Sequence, residues 1–355
     1  NMHELGAGAT NDNRHYGRAR NPWSLDHIPG GSSGGSAIAV SLGMGFAALG
    51  TDTGCSVRVP AAACGVVGLK PTLGRVSRAG VGIMTWSSDH VGPITRCVRD
   101  TAIVLRAIAG WDPADSSTSS EPAEAYEEAL TGEVAGLRIG VPRDYFFDRI
   151  DPEVERAVRK GVEALGSLGA EVRDVPVPWA RGLSLVGGLL GRPETAAAYR
   201  DRLNEFIEEG VPEVVERLII GGMLPAETYV TAQRARLYFQ RLAQELFASV
   251  DLLVAPVWPF QTPRHQQTRV DLPGGEYDFG PESVRLTMPF STLGLPAAAL
   301  PCGFSHDGLP LSMQIVGRPF EEATVLRAAY AYEQANRWWR CRPPLPAVAS
   351  ASAPA

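Results

Sequence analysis

Short apolar runs alternate along this chain with longer segments that carry apolar residues at helical spacing. Strands of four to eight residues and helices of ten or more produce this kind of alternation. The runs predict strands at residues 46–50, 66–69, 137–141, 252–256, 297–302 and 311–316. The longer segments predict helices at residues 98–109, 152–168, 228–250 and 322–336. Because most strands are followed by a helix, the pattern predicts an α/β architecture.

Local signals fix the limits of several elements. Asp151 stands where it can cap the helix at residues 152–168, and Gly169 can end that helix. The turn-rich Ser305-His306-Asp307-Gly308 predicts that the last two strands form a pair. Residues 178–225 have a weaker pattern and predict an irregular helical insertion, whereas the composition of residues 342–355 predicts a disordered tail.

Composition and charge exclude several classes of protein. Hydrophobic residues make up 45% of the chain, charged residues 20%, and the net charge is -6, which is not the electrostatic pattern of a nucleic-acid binder. The best apolar stretch, residues 37–49, is too short for a membrane span. The five cysteines are scattered and lack metal-ligand spacing, which predicts reduced thiols, a cytoplasmic protein and no metal.

Two loops of small residues carry the clearest chemical signal. Residues 30–36 read Gly-Gly-Ser-Ser-Gly-Gly-Ser, and residues 51–58 read Thr-Asp-Thr-Gly-Cys-Ser-Val-Arg. Glycine lets a backbone turn sharply beside a substrate, and successive N–H groups can hold a developing negative charge. The pair of loops therefore indicates a serine nucleophile with a second serine as helper. The competing interpretation is two ordinary turns.

A serine nucleophile needs a base, and the chain offers few. Residues 31–35 fit the G-x-S-x-G pattern, in which Ser33 would require a downstream acid and histidine. His265 and His306 are the late histidines, and His306 stands in the predicted turn. The two lysines, Lys70 and Lys160, do not complete an S-x-x-K pattern, and no glycine-rich loop has the Walker pattern.

Both loops, together with Cys-Gly-Val-Val-Gly-Leu-Lys-Pro-Thr at residues 64–72 and Asp-His-Val-Gly-Pro at residues 89–93, resemble the amidase signature family. The resemblance continues at residues 294–297 and 308–317. It implies the amidase signature fold, a single α/β/α domain with a large mixed central sheet, over residues 1–341. It also implies hydrolysis of amides by a serine, a second serine on a cis peptide bond and a lysine, without a cofactor.

Within that resemblance, Ser56 matches the nucleophile and Ser32 the serine that passes on its proton. Thr53, Gly54 and Cys55 would supply backbone N–H groups to the oxyanion. Cys55 replaces the glycine more usual in the family, and we interpret its side chain as a small buried residue. Ser33, Asp52 and Arg58 are candidates for ordering the loop or contacting the substrate, and a structural ion pair is the preferred interpretation of Asp52 with Arg58.

The base is the main departure from the family. The resemblance implies a lysine upstream of the Asn-Met-His-Glu segment at which this sequence starts, so the amidase domain is expected to be incomplete at its N-terminus. Lys70 belongs to a separate stretch of the family pattern and cannot replace that lysine. We therefore expect little amidase activity from this chain alone.

Three functions remain open at this point. The first is hydrolysis of a linear carboxamide through an acyl-serine intermediate, with a small-molecule amide and water as substrates. The second is the glutaminase subunit of a tRNA-dependent amidotransferase, which would bind no nucleic acid directly. The third is a non-catalytic amidase-like protein. The sequence leaves the oligomeric state open, a homodimer included.

Overall fold

The computed structural model describes residues 1–344, which form ten strands and eleven α-helices. The strands are β1 (Ala47–Asp52), β2 (Val67–Lys70), β3 (His90–Thr95), β4 (Arg138–Pro142), β5 (Glu171–Val175), β6 (Leu252–Pro256), β7 (Arg269–Leu272), β8 (Gly275–Asp278), β9 (Ala297–Phe304) and β10 (Pro310–Gly317). The helices are α1 (Gly34–Ser41), α2 (Arg58–Cys64), α3 (Val98–Ile108), α4 (Pro152–Ser167), α5 (Ala180–Ala198), α6 (Leu203–Glu209), α7 (Pro212–Met223), α8 (Ala226–Ser249), α9 (Phe279–Arg285), α10 (Met288–Thr292) and α11 (Glu322–Asn336).

Eight strands form one mixed sheet in the order β1-β3-β2-β9-β10-β6-β4-β5, and β7 pairs with β8 separately. Strand β4 is parallel to β5 and β6, and the other pairs of the large sheet are antiparallel. Neighbouring side chains of a strand point to opposite faces. In β6, Leu252 and Val254 pack with α3, α4 and α11, whereas Leu253 and Ala255 pack with α5 and α8. The predicted α/β/α fold with a large mixed sheet is confirmed.

Local chemistry explains the elements that the sequence predicted well. Asp151 caps α4, because its Oδ1 accepts hydrogen bonds from the backbone N–H groups of Glu153 at 2.7 Å and Val154 at 3.2 Å. Gly169 follows the helix with φ +101°, a left-handed conformation that favours glycine. The turn at residues 305–308 joins β9 to β10 as an antiparallel pair, with Gly308 at φ +77°.

Other segments were predicted less well. The helices α1 and α2, which directly follow the two serine loops, were not predicted, because Gly34, Gly35 and Pro60 are weak signals for a helix. Residues 178–225 contain three ordered helices, α5 to α7, although Pro193 lies inside α5. Of the predicted tail, residues 345–355 lie outside the described residues. None of the helices that the structure describes combines the length and the apolar composition needed to cross a membrane.

Glu333 couples two helices on one face of the sheet. Its side chain lies on α11 and is only 5% exposed, and its Oε1 accepts a hydrogen bond of 2.8 Å from the N–H of Val98, the first residue of α3. Burial raises the pKa of this carboxyl from 4.5 to about 7, in spite of the hydrogen bond from Val98. The folded protein therefore holds this proton at pH values where the unfolded chain has already lost it.

Replacing Glu333 by glutamine is expected to remove this pH dependence, because glutamine keeps an acceptor for Val98 and cannot ionise. The raised pKa makes the stability of the wild type fall as pH rises from 4.5 through 7. Relative to wild type, E333Q should gain about 3 kcal/mol over that window. Urea unfolding at pH 4.5 and pH 8 measures the gain, with exposed Glu163→Gln on α4 as the control. An identical pH dependence in E333Q and wild type would contradict the assignment.

Candidate active site

Two loops at the β1 end of the large sheet form the candidate site. The first loop contains Ser32 and Ser33 and leads into α1, and the second loop connects β1 to α2 and contains Ser56. The peptide bond between Gly31 and Ser32 is cis, as the family resemblance implied. Both loops therefore end at the start of a helix, a position where backbone N–H groups are available to ligands.

Backbone contacts bring the two loops together. The N–H of Ser33 donates to the carbonyl of Ser56 at 3.2 Å, and the thiol of Cys55 lies 3.8 Å from the carbonyl of Gly31. The side chain of Ser33 is fixed on β1, since its Oγ accepts from the N–H of Thr51 at 3.2 Å. A Cβ at Gly50 would stand 2.7 Å from Ser33 Oγ, so this contact requires glycine. Ser33 and Ser56, which are 23 positions apart in sequence, are thus neighbours in space.

Ser32 has an unusual environment for a serine. Its side chain is fully buried, and its Oγ has no hydrogen-bond partner within residues 1–344. Its carbonyl accepts a hydrogen bond of 3.0 Å from the N–H of His3. Leaving a buried hydroxyl without a partner costs on the order of 1–3 kcal/mol. The hydroxyl of Ser32 therefore keeps its capacity to donate and to accept a hydrogen bond.

Ser56 is 7% exposed, and its Oγ lies 3.8 Å from Cys55 Sγ. Burial raises the pKa of the Cys55 thiol to about 12, with a further contribution from the charge of Asp52. The thiolate is the nucleophilic form of cysteine, so Cys55 is inert near neutral pH. Ser56 therefore stays the candidate nucleophile of this loop.

Backbone donors of the second loop remain available. Within residues 1–344, the N–H groups of Thr53, Gly54 and Cys55 donate to no protein acceptor. Gly54 and Cys55 are buried, so the same N–H groups are shielded from bulk water. Unpaired donors in a buried loop can stabilise an anionic oxygen far more than donors in water can. The arrangement fits an oxyanion-binding loop next to Ser56.

A buried ion pair holds the ends of this loop. Asp52 and Arg58 are both fully buried, and the guanidinium binds the carboxylate through Nε at 3.0 Å and Nη2 at 3.0 Å. Burial alone would raise the pKa of Asp52, but the Arg58 guanidinium lowers it to about 2. Arg58 also donates to the carbonyl of Gly54 and to Ser291, Thr287 and Gln314. Since its donors are all engaged by the protein, Arg58 occupies a structural ion pair.

Comparison with known proteins gives the family. Residues 1–326 match the Amidase family. This chain belongs to the amidase signature family. A glutamyl-tRNA(Gln) amidotransferase subunit from Roseiflexus sp. (strain RS-1) is 40% identical over 373 residues, which cover 98% of this chain and 74% of that protein. An amidase from Pseudomonas putida is 45% identical over 336 residues, which cover 93% and 72%.

Solved structures agree with the assignment. A chain from a vestigial protein complex that reveals the evolutionary origins of an s-triazine catabolic enzyme superposes with a TM-score of 0.91. That chain is 34% identical, and the match covers 97% of this chain and 74% of that chain. Membership of the amidase signature family supports a hydrolase that acts on carbon-nitrogen bonds.

Lys70 does not contact either serine of this amidase signature protein. Its Nζ donates to the carbonyls of Pro71 at 3.1 Å and of Leu295, and it lies 3.1 Å from His90 Nε2. Burial lowers the pKa values of Lys70 and of His90 well below their usual ranges, which favours the neutral form of each. His90 Nδ1 in turn lies 2.9 Å from the carbonyl of Asp52. The Lys70–His90 pair therefore contacts the end of β1, directly before the Ser56 loop.

Sequence reasoning missed Asp89 as a residue of the site. Its Oδ1 accepts a hydrogen bond of 2.5 Å from Thr53 Oγ1, and its Oδ2 accepts from the backbone N–H groups of Met84 and Thr85 at 2.7 and 2.8 Å. Met84 and Thr85 are buried, whereas Trp86 is 54% exposed. Asp89 thus fastens the loop at residues 84–89 to the Ser56 loop. Asp89 begins the Asp-His-Val-Gly-Pro motif at residues 89–93, but that motif does not indicate the contact between Asp89 and Thr53.

The G-x-S-x-G interpretation receives no support from the geometry. Ser33 Oγ is engaged by the backbone of Thr51, and His306 forms an exposed pair with Glu153 at 2.9 Å. A cleft of about 440 Å³ lies between α8 and residues 293–295, and no residue of either serine loop lines it. Within residues 1–344, no cluster of three metal-binding side chains is found.

Proposed function

We propose that this protein hydrolyses the C–N bond of a linear carboxamide through an acyl-enzyme intermediate on Ser56. The observation that carries the proposal is the contact between the two serine loops. It places the buried and unpartnered Ser32 hydroxyl beside a loop whose N–H groups are free. An acyl-transfer site needs a nucleophile, a route for its proton and donors for the oxyanion.

The proposed reaction has two halves. Ser56 Oγ attacks the amide carbonyl carbon, and its proton passes to Ser32 Oγ and from there to a base. The oxyanion accepts hydrogen bonds from the N–H groups of Thr53, Gly54 and Cys55. In other hydrolases, removing one such donor raises the activation free energy by roughly 3–4 kcal/mol. The C–N bond then breaks as the amine takes a proton. Water finally cleaves the acyl ester of Ser56 and restores the serine.

In this proposal the proton acceptor is the lysine that the family resemblance implies upstream of the Asn-Met-His-Glu segment. Lys70 donates to backbone carbonyls, and Lys160 is exposed on α4, so neither lysine of this sequence bonds to Ser32 Oγ. A lysine that accepts this proton has to be neutral, which burial favours by lowering its pKa.

A second candidate function is the glutaminase subunit of a tRNA-dependent amidotransferase. The name of the Roseiflexus relative supports it. Against it stands α8, which lacks the tyrosine-rich run expected of such a glutaminase. The third candidate is a non-catalytic amidase-like protein, which would bind an amide without cleaving it.

One assay separates the three candidates. The complete gene product is incubated with a panel of linear carboxamides and with glutamine, with and without amidotransferase partner subunits, and ammonia release is measured. Hydrolysis of carboxamides without partners supports the amidase proposal. Glutamine hydrolysis that depends on the partners supports the amidotransferase function, whereas binding without ammonia release supports the non-catalytic protein.

A further inference from the structure

Helix α5 packs against α7 and against the loop at residues 85–89, which is bonded to the Ser56 loop through Asp89. Gly187 and Gly191 lie one turn apart on α5 and allow close approach to this helix. A Cβ at Gly187 would lie 2.7 Å from Met288 Sδ, and a Cβ at Gly54 would lie 2.7 Å from Met288 Cε. Met288 therefore fills the space between α5 and the oxyanion loop.

Arg217 of α7 reaches the same face of α5. A Cβ at Gly191 would stand 2.9 Å from Arg217 Nη2 and 3.6 Å from Thr85 Oγ1. Thr85 is linked through Asp89 to Thr53, three residues before Ser56. Contacts through Thr85 and Asp89 thus connect the face of α5 that Arg217 approaches with the Ser56 loop, and Met288 connects the same helix with Gly54.

The guanidinium of Arg217 lacks an anion. Its Nε donates to Thr195 Oγ1 at 3.0 Å, and no carboxylate oxygen within residues 1–344 lies within 4.0 Å of its nitrogens. The neighbouring acids are engaged elsewhere: Asp89 binds Thr53 and the backbone of the loop, and Glu194 accepts from the N–H of Ser87 and from Tyr229. Burial lowers the pKa of Arg217 to about 10, so it is still a cation at neutral pH.

A second observation points to a ligand at this position. Thr85 Oγ1 is buried and has no hydrogen-bond partner in the described part of the chain, and it approaches Gly191 as the guanidinium does. Buried hydroxyls and desolvated guanidinium groups are normally paired. Tyr199, directly after α5, approaches the same loop, since its Oη lies 3.7 Å from a Cβ placed on Gly82. This region therefore combines a cation that lacks a carboxylate partner with a buried hydroxyl that lacks a hydrogen-bond partner within residues 1–344.

We infer that Arg217 is a specificity-determining residue that binds a carboxylate carried by the substrate. The inference rests on the proposed amidase function and names its substrate class, an amide with an acidic group at the other end. A guanidinium matches a carboxylate with two parallel N–H donors, which a neutral amide cannot use in the same way.

Two amides of equal length test the inference. Succinamate carries a carboxylate where butyramide has a methyl group, and hydrolysis of both is measured with the complete gene product. In Arg217→Met, KM for succinamate should rise roughly 10- to 100-fold, as expected for loss of a charged hydrogen-bond pair, while kcat stays within about twofold. Butyramide kinetics should not change. Arg217→Lys should restore part of the succinamate affinity, because lysine keeps the positive charge but lacks the two parallel N–H donors of the guanidinium.

Arg241→Gln is the matched control, since Arg241 is an exposed arginine on α8 and its loss should leave both amides unaffected. Equal losses for succinamate and butyramide in Arg217→Met, with no recovery in Arg217→Lys, would show a purely structural role and overturn the inference. Wild-type protein that does not prefer succinamate would overturn it as well.

Binding separates this inference from the proposed function. Calorimetry with Ser56→Ala measures the affinity for succinamate without turnover, and adding Arg217→Met to that variant should weaken binding by a similar factor. If the wild type hydrolyses neither amide but Ser56→Ala binds succinamate through Arg217, the amidase proposal fails and the carboxylate site stands. If hydrolysis depends on Ser56 but succinamate binding is unaffected by Arg217→Met, the carboxylate site is wrong.

Discussion

Ser56→Ala is expected to lower kcat for amide hydrolysis roughly 10⁴- to 10⁶-fold in the complete gene product, the range seen when a serine nucleophile is removed. The alanine variant retains the N–H groups of Thr53, Gly54 and Cys55, so it should still bind substrate. Burial of Ser56 and the inert Cys55 thiol leave no neighbouring group of the loop to take over the attack. Steady-state ammonia release measures the effect.

Two further variants make this result interpretable. Ser32→Ala should lower kcat roughly 10²- to 10⁴-fold, the usual value of a proton-transfer group, with a smaller effect on KM. Ser41→Ala is the control, because Ser41 is a buried serine of α1 that bonds to the carbonyl of Cys64, away from the site. Ser56→Ala with nearly wild-type kcat would show that the nucleophile lies elsewhere.

Arg58→Met is expected to destabilise the fold by about 3–5 kcal/mol, because it leaves the carboxylate of Asp52 buried without its counter-ion. Both side chains of the pair are fully buried, so neither solvent nor salt can compensate for the loss. Urea unfolding at pH 7 measures the change. The control is Arg159→Met on α4, where the Arg159–Glu155 pair is 51% and 35% exposed and should contribute less than about 1 kcal/mol.

The double variant Asp52→Asn/Arg58→Met tests the physical reason. Removing both charges should recover much of the loss, since an uncompensated buried charge costs more than a missing pair. In the wild type, the pKa of Asp52 falls from 3.8 in the unfolded chain to about 2 in the folded protein. The ionised Asp52 therefore stabilises the fold fully above pH 3.8, and this stabilisation is lost as the pH falls through about 2. Equal destabilisation of Arg58→Met and the double variant would contradict this explanation.

The sequence predicts the elements whose signals are local. Asp151 and Gly169 delimit α4, and the periodic spacing of α11 gives its limits, Glu322–Asn336, without error. Helices α1 and α2 were missed because they are short and contain Gly34, Gly35 and Pro60. They pack against each other and against Ile94 of β3, a tertiary contact that no local pattern shows.

The residues of the candidate site also divide into those that a sequence motif indicates and those that only the folded structure shows. Ser32, Ser56 and the loop residues were named from motifs, and the structure brings the two loops into contact. Their assigned roles stay predictions. Asp89 and Arg217 could not be found from sequence, because their neighbours Thr53 and Gly191 come from other loops and helices. Such contacts depend on tertiary packing, and no local pattern encodes them.

The measurement that tests the central claim most directly is mass spectrometry of the complete gene product, quenched with acid during turnover of a slowly deacylated amide. We expect an added mass equal to the acyl group on the peptide that contains Ser56, and its absence in Ser56→Ala. An acyl group on another residue, or turnover without any acyl-protein, would contradict the proposed mechanism.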